Sequence, residues 1–382
     1  MTKIFDCVIV GAGPAGGTAA YHLAKKGHKV LVVDKASLPR YKPCGGGVSP
    51  VVQEWFDFDF SPAISLKTHQ VYYTWEKGEA IQVELKTNPI WMVRREVFDY
   101  FLIQQAQKIG VSVQDNTEVK AIDFKGDRWT LQTSQQPITA HYLIAADGSM
   151  GKMAKRLGFK RQKRVVAGAL ELEIPIQNQT DYNTYFEFGL VHKGYAWNFP
   201  KADGYSIGAG AFWKQRKAQN FKHILQDYAA MFGVDLATAT ECGHPISLWD
   251  GNQKLHTQNA VLAGEAACVV DPFTAEGIRP SMFSGMKAAE AIDQAIAKKA
   301  DALENYSRTI SEEWGKEMLW AQKLAQAYYR FPKLGYQVGV RRPSATATMS
   351  RIFCGELRYS EVVKRGINLI QKNLVTNIPK PF

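Results

Sequence analysis

The sequence predicts an α/β chain, α+β overall, in which a nucleotide-binding unit is interrupted by antiparallel strands and followed by helices. Three observations predict it. Residues 4–34 read, in register, as a buried strand, a glycine turn, a helix and a second strand. Aromatic-rich alternating segments at 69–85 and 180–212 read as antiparallel strands. A basic region with helical patterning fills residues 311–382.

The 382 residues suffice for two domains or one large interleaved unit. With 46% hydrophobic and 22% charged residues, the composition is globular and excludes disorder. No apolar run reaches the roughly 18 residues of a membrane span. With a strand read from Ile4, no signal peptide is expected. The five cysteines (Cys7, Cys44, Cys242, Cys268, Cys354) are scattered without metal-ligand spacing. A reducing cytoplasm is therefore expected, and no metal site. Net charge is +11, and the excess is concentrated. From Ala321 on, eleven Lys or Arg face only Glu356 and Glu361. Such a tail suits an anionic membrane surface, an acidic partner or nucleic acid, or is a solvated face.

The turn Gly11-Ala12-Gly13-Pro14-Ala15-Gly16 fits the G-x-G-x-x-G fingerprint between strand and helix. Gly11 makes the tight turn, Gly13 lets a pyrophosphate approach the backbone, and Gly16 lets helix and strand pack closely. The helix, read over 14–26, offers free N–H groups and its positive dipole end to phosphate. Asp34, at the end of the second strand, is placed to accept hydrogen bonds from an adenosine ribose. The segment is a Rossmann-like dinucleotide site, and by itself it does not choose between FAD and NAD.

Three later segments return to the same nucleotide. A helix after Arg94 and Arg95 presents guanidinium groups at its start, with Val97, Phe101, Leu102 and Ala106 on its inner face. Asp147-Gly148 follows a short apolar strand, as a second nucleotide contact or a simple turn. A strand at 261–263 leads into Gly264-Glu265, then Glu276-Gly277-Ile278 and an Ala-rich helix. That helix start suits the partly negative edge of a reduced flavin, and a plain NAD dehydrogenase calls for no such element.

Together GAGPAG, AADGS and GEAACVVDPFTAEGI resemble the three FAD signatures of the p-hydroxybenzoate-hydroxylase-like flavoproteins. PCGGGVS, GYAWNFPK and the late YYRFPKLGY and CGELRYSEVV narrow the resemblance to the geranylgeranyl reductase family, over nearly the whole chain. Two positions depart from the family pattern: Glu265 replaces the usual Asp, and Ala275 the usual Gly. The resemblance implies a discontinuous FAD-binding domain (1–60, 93–162, 255–310), a mainly antiparallel substrate domain inserted into it (61–92, 163–254), and a helical basic region (311–382). It implies FAD contacts from Gly11, Gly13, Pro14, Ala15, Gly16, Asp34, Lys35, Cys44, Gly45, Gly46, Arg95, Val119, Asp147, Gly148, Gly264, Glu265, Gly277 and Ile278.

The implied activity is reduction of C=C bonds in a prenyl chain, with NADPH or ferredoxin as electron donor and no nucleic-acid partner. Cys44, Tyr195, Trp197 and Glu276 are the candidate catalytic residues, with Tyr41 and His192 as further candidates. Cys44 is read as proton donor, gate or packing residue, and the run Gly45-Gly46-Gly47 as passing against the flavin ring. Aromatic strands, Tyr72 to Trp213, are expected to line an apolar slot. Val362, Val363, Ile367, Leu369, Ile370 and Leu374 among Lys and Arg form an interfacial helix or one docked on the protein's own core. On the same fold, a flavin monooxygenase, a lycopene-cyclase-like isomerase and a flavin-bearing protein without turnover are the competing readings.

Overall fold

The computed structural model describes residues 3–85, 88–159, 165–212, 219–249, 251 and 254–364. Trp213 and the expected helix residues Ile367, Leu369, Ile370 and Leu374 lie outside the described residues.

Strand β1 (Ile4–Val10) is buried along nearly all its length, as a central parallel strand must be. The chain turns at Gly11 into helix α1 (Pro14–Lys25), whose first residue is a proline. It returns as β2 (Val30–Val33), parallel to β1 with Cys7 opposite Val30 and Val10 opposite Val33. Next come β3 (Gly47–Val48), β4 (Leu66–Thr68), β5 (Gln70–Trp75), β6 (Ile81–Glu84) and β7 (Ile90–Met92). β5 and β6 form the hairpin expected around Lys77-Gly78. Strand β7 pairs with both β3 and β4 in a small antiparallel sheet, which sets Gly47 opposite Met92.

Helix α2 (Arg95–Lys108) buries Phe98, Leu102, Ile103 and Ala106. Val97 does not join them; it is 46% exposed. The sequence pattern misled because two inward positions hold charges, Arg95 and Asp99, which neutralise each other. Strands β8 (Ser112–Gln114), β9 (Val119–Lys125), β10 (Arg128–Thr133) and β11 (Ile138–Ala145) follow, then the short helix α3 (Met153–Arg156). β11 lies parallel to β1 on the side away from β2.

Strands β12 (Val165–Pro175), β13 (Thr184–Phe188), β14 (Gly194–Lys201) and β15 (Gly204–Ala211), helix α4 (Phe221–Ala229) and β16 (Thr240–Leu248) come next. They build a second sheet in the order β16-β12-β15-β14-β13-β5-β6. The early hairpin thus joins a sheet made mostly of later strands, through parallel pairing of β5 with β13. Its two faces differ by the period-two rule. Ala196, Ile207 and Ala209 pack with Leu225 and Tyr228 of α4. Tyr195, Trp197 and Phe199 point the other way, into an aromatic cluster with Phe186 and Phe212.

The chain re-enters the first sheet through β17 (His256–Thr257) and β18 (Ala260–Leu262), giving the order β17-β18-β11-β1-β2-β8. Helices α5 (Ile278–Ile296), α6 (Ala302–Thr309), α7 (Lys316–Arg330), α8 (Pro332–Gly335) and α9 (Pro343–Phe353) follow, with π-helical turns at Ile310–Gly315 and Tyr336–Val340, and the described chain ends in helical residues 359–364. Tyr328, Tyr329 and Tyr336 pack into the aromatic cluster of the second sheet. Among the described residues no helix is long and apolar enough to cross a membrane.

Candidate functional site

A cavity of about 490 Å³ opens at the carboxyl ends of β1, β2 and β11 and extends to the aromatic face of the second sheet. In open α/β sheets ligands bind at this end of the strands. The site residues expected from the sequence line this cavity, except Gly16 and the further candidate His192. Gly16 lies beneath it, where a Cβ would stand 1.9 Å from the Gly11 carbonyl oxygen, so only glycine lets α1 cross β1 there. Tyr41 also lines the cavity, whereas His192 is exposed on the loop between β13 and β14, away from it.

The nucleotide end has the features a dinucleotide needs. A Cβ at Gly13 would meet only the Arg40 guanidinium, at 3.4 Å, so the backbone there is approachable. No side chain caps the N-terminus of α1, leaving its first N–H groups for a ligand. The Asp34 carboxylate accepts from the backbone N–H of Ala12 (2.8 Å) and of Ala36 (2.9 Å), which fixes it at the tip of β2. Arg40 reaches both Asp34 and Asp99 at 3.4 Å. Arg95, buried, grips Asp99 through two hydrogen bonds of 2.8 and 2.7 Å. These groups fit the adenosine and pyrophosphate of FAD.

Farther along, Glu265 is paired with Lys42 (3.4 Å) and His244 (3.6 Å). Burial alone would raise its pKa, but Lys42, His244 and Arg95 overcome that and bring it down to about 2. The extra methylene relative to Asp therefore carries a firmly negative charge held by two basic partners. Ala275 sits at φ +58°, a left-handed conformation that favours glycine. Glu276 caps α5: its carboxylate accepts from the Arg279 backbone N–H (2.8 Å) and from Arg279 Nε (3.2 Å). Burial raises its pKa.

The glycine run meets the protein itself. A Cβ at Gly45 would fall 2.8 Å from the Phe199 ring and 2.9 Å from Trp197 Nε1. At Gly46, with φ +73°, it would collide with the Val93 carbonyl oxygen at 2.1 Å. Close packing against β14 and Val93 is thus sufficient reason for these glycines. Lys201, buried at the end of β14, donates from Nζ to the Gly45 carbonyl oxygen. Tyr195 donates its hydroxyl proton to the Thr274 carbonyl oxygen. Asp271 holds that loop by accepting from the N–H groups of Phe273 and Thr274 and from the Tyr359 hydroxyl.

The residue that sequence reasoning missed is Glu171. It lies on β12, is 3% exposed, and lines the cavity. Its Oε1 accepts the Cys44 backbone N–H at 2.7 Å. Its Oε2 receives no hydrogen bond from a donor among the described residues. Burial and the nearby Glu173 push its pKa well above the usual carboxylate range, and Lys201 only partly opposes them. Burial in turn lowers the pKa of Lys201. Glu173 itself is tied to Arg94 (3.1 Å). The available signal was "ELE" within an apolar strand, where alternation points both acids to one buried face.

Comparison with known proteins agrees with this architecture. A family model described as an FAD binding domain matches residues 5–186. An uncharacterized protein of Methanosarcina barkeri is 33% identical over 86% of this chain and 83% of its own length. The digeranylgeranylglycerophospholipid reductase of Methanococcus aeolicus is 27% identical over 85% of each chain. The geranylgeranyl diphosphate reductase of Rhodobacter capsulatus is 26% identical over 91% of this chain and 92% of its own. The crystal structure of a geranylgeranyl bacteriochlorophyll reductase-like protein from Thermoplasma acidophilum shares the fold, with TM-score 0.76 and 22% identity over 86% of this chain and 88% of that one. A flavin-dependent brominase shares it too, with TM-score 0.71 and 18% identity over 97% of this chain and 100% of that one. With the dinucleotide cradle, the aromatic slot and these relatives in agreement, the chain belongs to the geranylgeranyl reductase family of FAD-dependent oxidoreductases.

Proposed function

We propose that the protein reduces C=C bonds in the prenyl chain of a pigment, quinone or lipid precursor. The observation that carries this reading is the cavity itself, which runs from a dinucleotide cradle to a wall of Phe186, Tyr195, Trp197, Phe199, Phe212 and Phe353. A wall of that kind takes an apolar chain. The curated relatives named for digeranylgeranyl and geranylgeranyl substrates support the same class.

When bound, FAD supplies the hydride. Gly11, Gly13, Pro14, Ala15 and the start of α1 hold its pyrophosphate, and Asp34 and Lys35 its adenosine. Arg95, Val119, Asp147, Gly148, Gly264, Glu265, Gly277 and Ile278 enclose the remainder. Tyr195, anchored through Thr274, and Trp197 orient the apolar chain and keep water out. Cys44 and its glycines set the floor, pinned from both sides by Glu171 and Lys201. Glu171 holds the proton that the second alkene carbon requires, because its site disfavours the charged carboxylate. It regains that proton from solvent after each turnover.

The electrons come from NADPH or a ferredoxin, and the basic C-terminal region meets a membrane surface or an acidic donor in the cytoplasm. Rapid-mixing absorbance with each donor separates the two. The test of the activity is anaerobic. Chemically reduced protein is incubated with geranylgeranyl diphosphate and with a geranylgeranylated pigment, and the products are weighed by mass spectrometry. A gain of about 2 mass units per double bond, matched by flavin reoxidation, is expected from hydride and proton addition. Unchanged substrates with a reducible bound flavin would remove the prenyl assignment, and a gain of oxygen in a second, aerobic incubation would replace it with hydroxylation.

A further inference from the structure

The outer face of the last helices is unusually apolar. Phe331, Leu334 and Val338 are 58%, 57% and 48% exposed. Phe331 is the cap residue ahead of α8, Leu334 lies within α8 and Val338 in the π-helical turn that continues it, so three large exposed apolar side chains fall within eight residues. The inward side of the same segment is already committed. Tyr328 meets Phe188 edge to face at 5.8 Å, Tyr336 meets it tilted at 5.9 Å, and Tyr336 also packs on Trp75. The triplet is therefore not core turned outward by a poor fit.

Cations accompany it. Lys323, Arg330, Lys333, Arg341 and Arg342 are all exposed on this stretch. The Arg330 guanidinium lies 5.6 Å from the centre of the Phe331 ring. From Met318 to Gly355 the sequence contains no Asp or Glu. Surface cations usually alternate with acids, so a stretch of one sign around large apolar side chains asks for a partner that is anionic outside and apolar within.

We propose that this face docks the protein on an anionic lipid bilayer. Phe331, Leu334 and Val338 enter the boundary between headgroups and acyl chains, and the five cations meet lipid phosphates. An acidic protein would satisfy the cations but leave three large apolar side chains unexplained. The next helix in the chain, α9, contributes Phe353 to the cavity lining. The surface does not depend on the prenyl-reductase reading, and its test reads lipid binding alone.

The experiment is co-sedimentation of the full chain with vesicles of phosphatidylcholine, and with vesicles of equal parts phosphatidylcholine and phosphatidylglycerol. Binding to the mixed vesicles, falling with salt, is the expected result. Two double variants, Phe331→Ser with Leu334→Ser and Lys333→Glu with Arg341→Glu, should each weaken apparent binding about tenfold or more, one through the apolar face and one through charge. Flavin absorbance and thermal unfolding of both variants should match the parent, since all four side chains are exposed. Native-like vesicle binding by both variants would overturn the proposal. So would binding abolished only by truncation after Lys364, or a parent that ignores the mixed vesicles while retaining an acidic ferredoxin.

Discussion

Glu171 and Glu265 are two acids of one cavity held in opposite states. Glu265 is surrounded by Lys42, His244 and Arg95, so its carboxylate is stabilised; Glu171 is buried beside another acid, so its neutral form is favoured. Pairs of titratable groups pushed apart in this way mark acid and base assignments. Replacing Glu171 by Gln keeps the oxygen that accepts from Cys44 but removes the proton. Turnover should fall about a hundredfold or more while flavin content stays unchanged, and the alkaline limb of the pH–rate profile should disappear with it. Stability follows the same signs. The protonated Glu171 contributes stability that is fully present below the unfolded pKa of 4.5 and is lost as pH rises through its elevated folded value. The ionised Glu265 contributes stability that is present above 4.5 and lost as pH falls toward about 2. Thermal unfolding across pH should therefore show Glu171→Gln gaining on the parent in alkali, and Glu265→Gln falling below it at neutral pH.

Between elements, the turns carry the constraints. The segment from Cys44 to Gly47 is clamped by β12 through Glu171, by β14 through Lys201, and by Val93 ahead of α2. Gly46→Ala puts a methyl where the Val93 carbonyl already stands, and the left-handed backbone adds about 1 kcal/mol of strain of its own. Flavin content of the purified variant should drop sharply, and retention of full content would show that the loop has room to shift. Ala275 is the reverse case. It already bears the strain of φ +58° just before the cap of α5. Ala275→Gly should raise stability by about 0.5–1 kcal/mol, read from denaturant midpoints, because glycine adopts that conformation without the Cβ clash.

On the scale of the whole molecule, the second sheet is held between two partners. Helix α4 covers one face, and the other faces the cavity with α7 and the following turn at its edge. Tyr336 is the joint, packing its ring against Trp75 and Phe188 while donating its hydroxyl proton to the Tyr73 carbonyl oxygen at 3.2 Å. Tyr336→Ala should cost about 3 kcal/mol of stability as a large-to-small core change. If thermal unfolding were unaltered, the helical region would be only a loose appendage to this sheet.

How much of this was legible beforehand depended on the range of the interactions. The sequence alone determined the strand–glycine–helix–strand unit, Asp34 at its end, the Lys77-Gly78 hairpin and the aromatic strands. Each rests on local backbone geometry or on a period of two, which neighbouring residues carry. Nearly every residue the sequence placed at the site does line the cavity, because the FAD signatures stand at the ends of recognisable strands. Only the tertiary structure decided that Glu171 faces Cys44 across 127 positions, that Glu265 is held ionised by Lys42 and His244, and that β5 joins β13. It also decided that Val97 faces solvent while Arg95 and Asp99 lie inside, paired with each other. A buried acid's protonation state is set by desolvation and by charges brought from distant strands, and neither is encoded in the residues beside it.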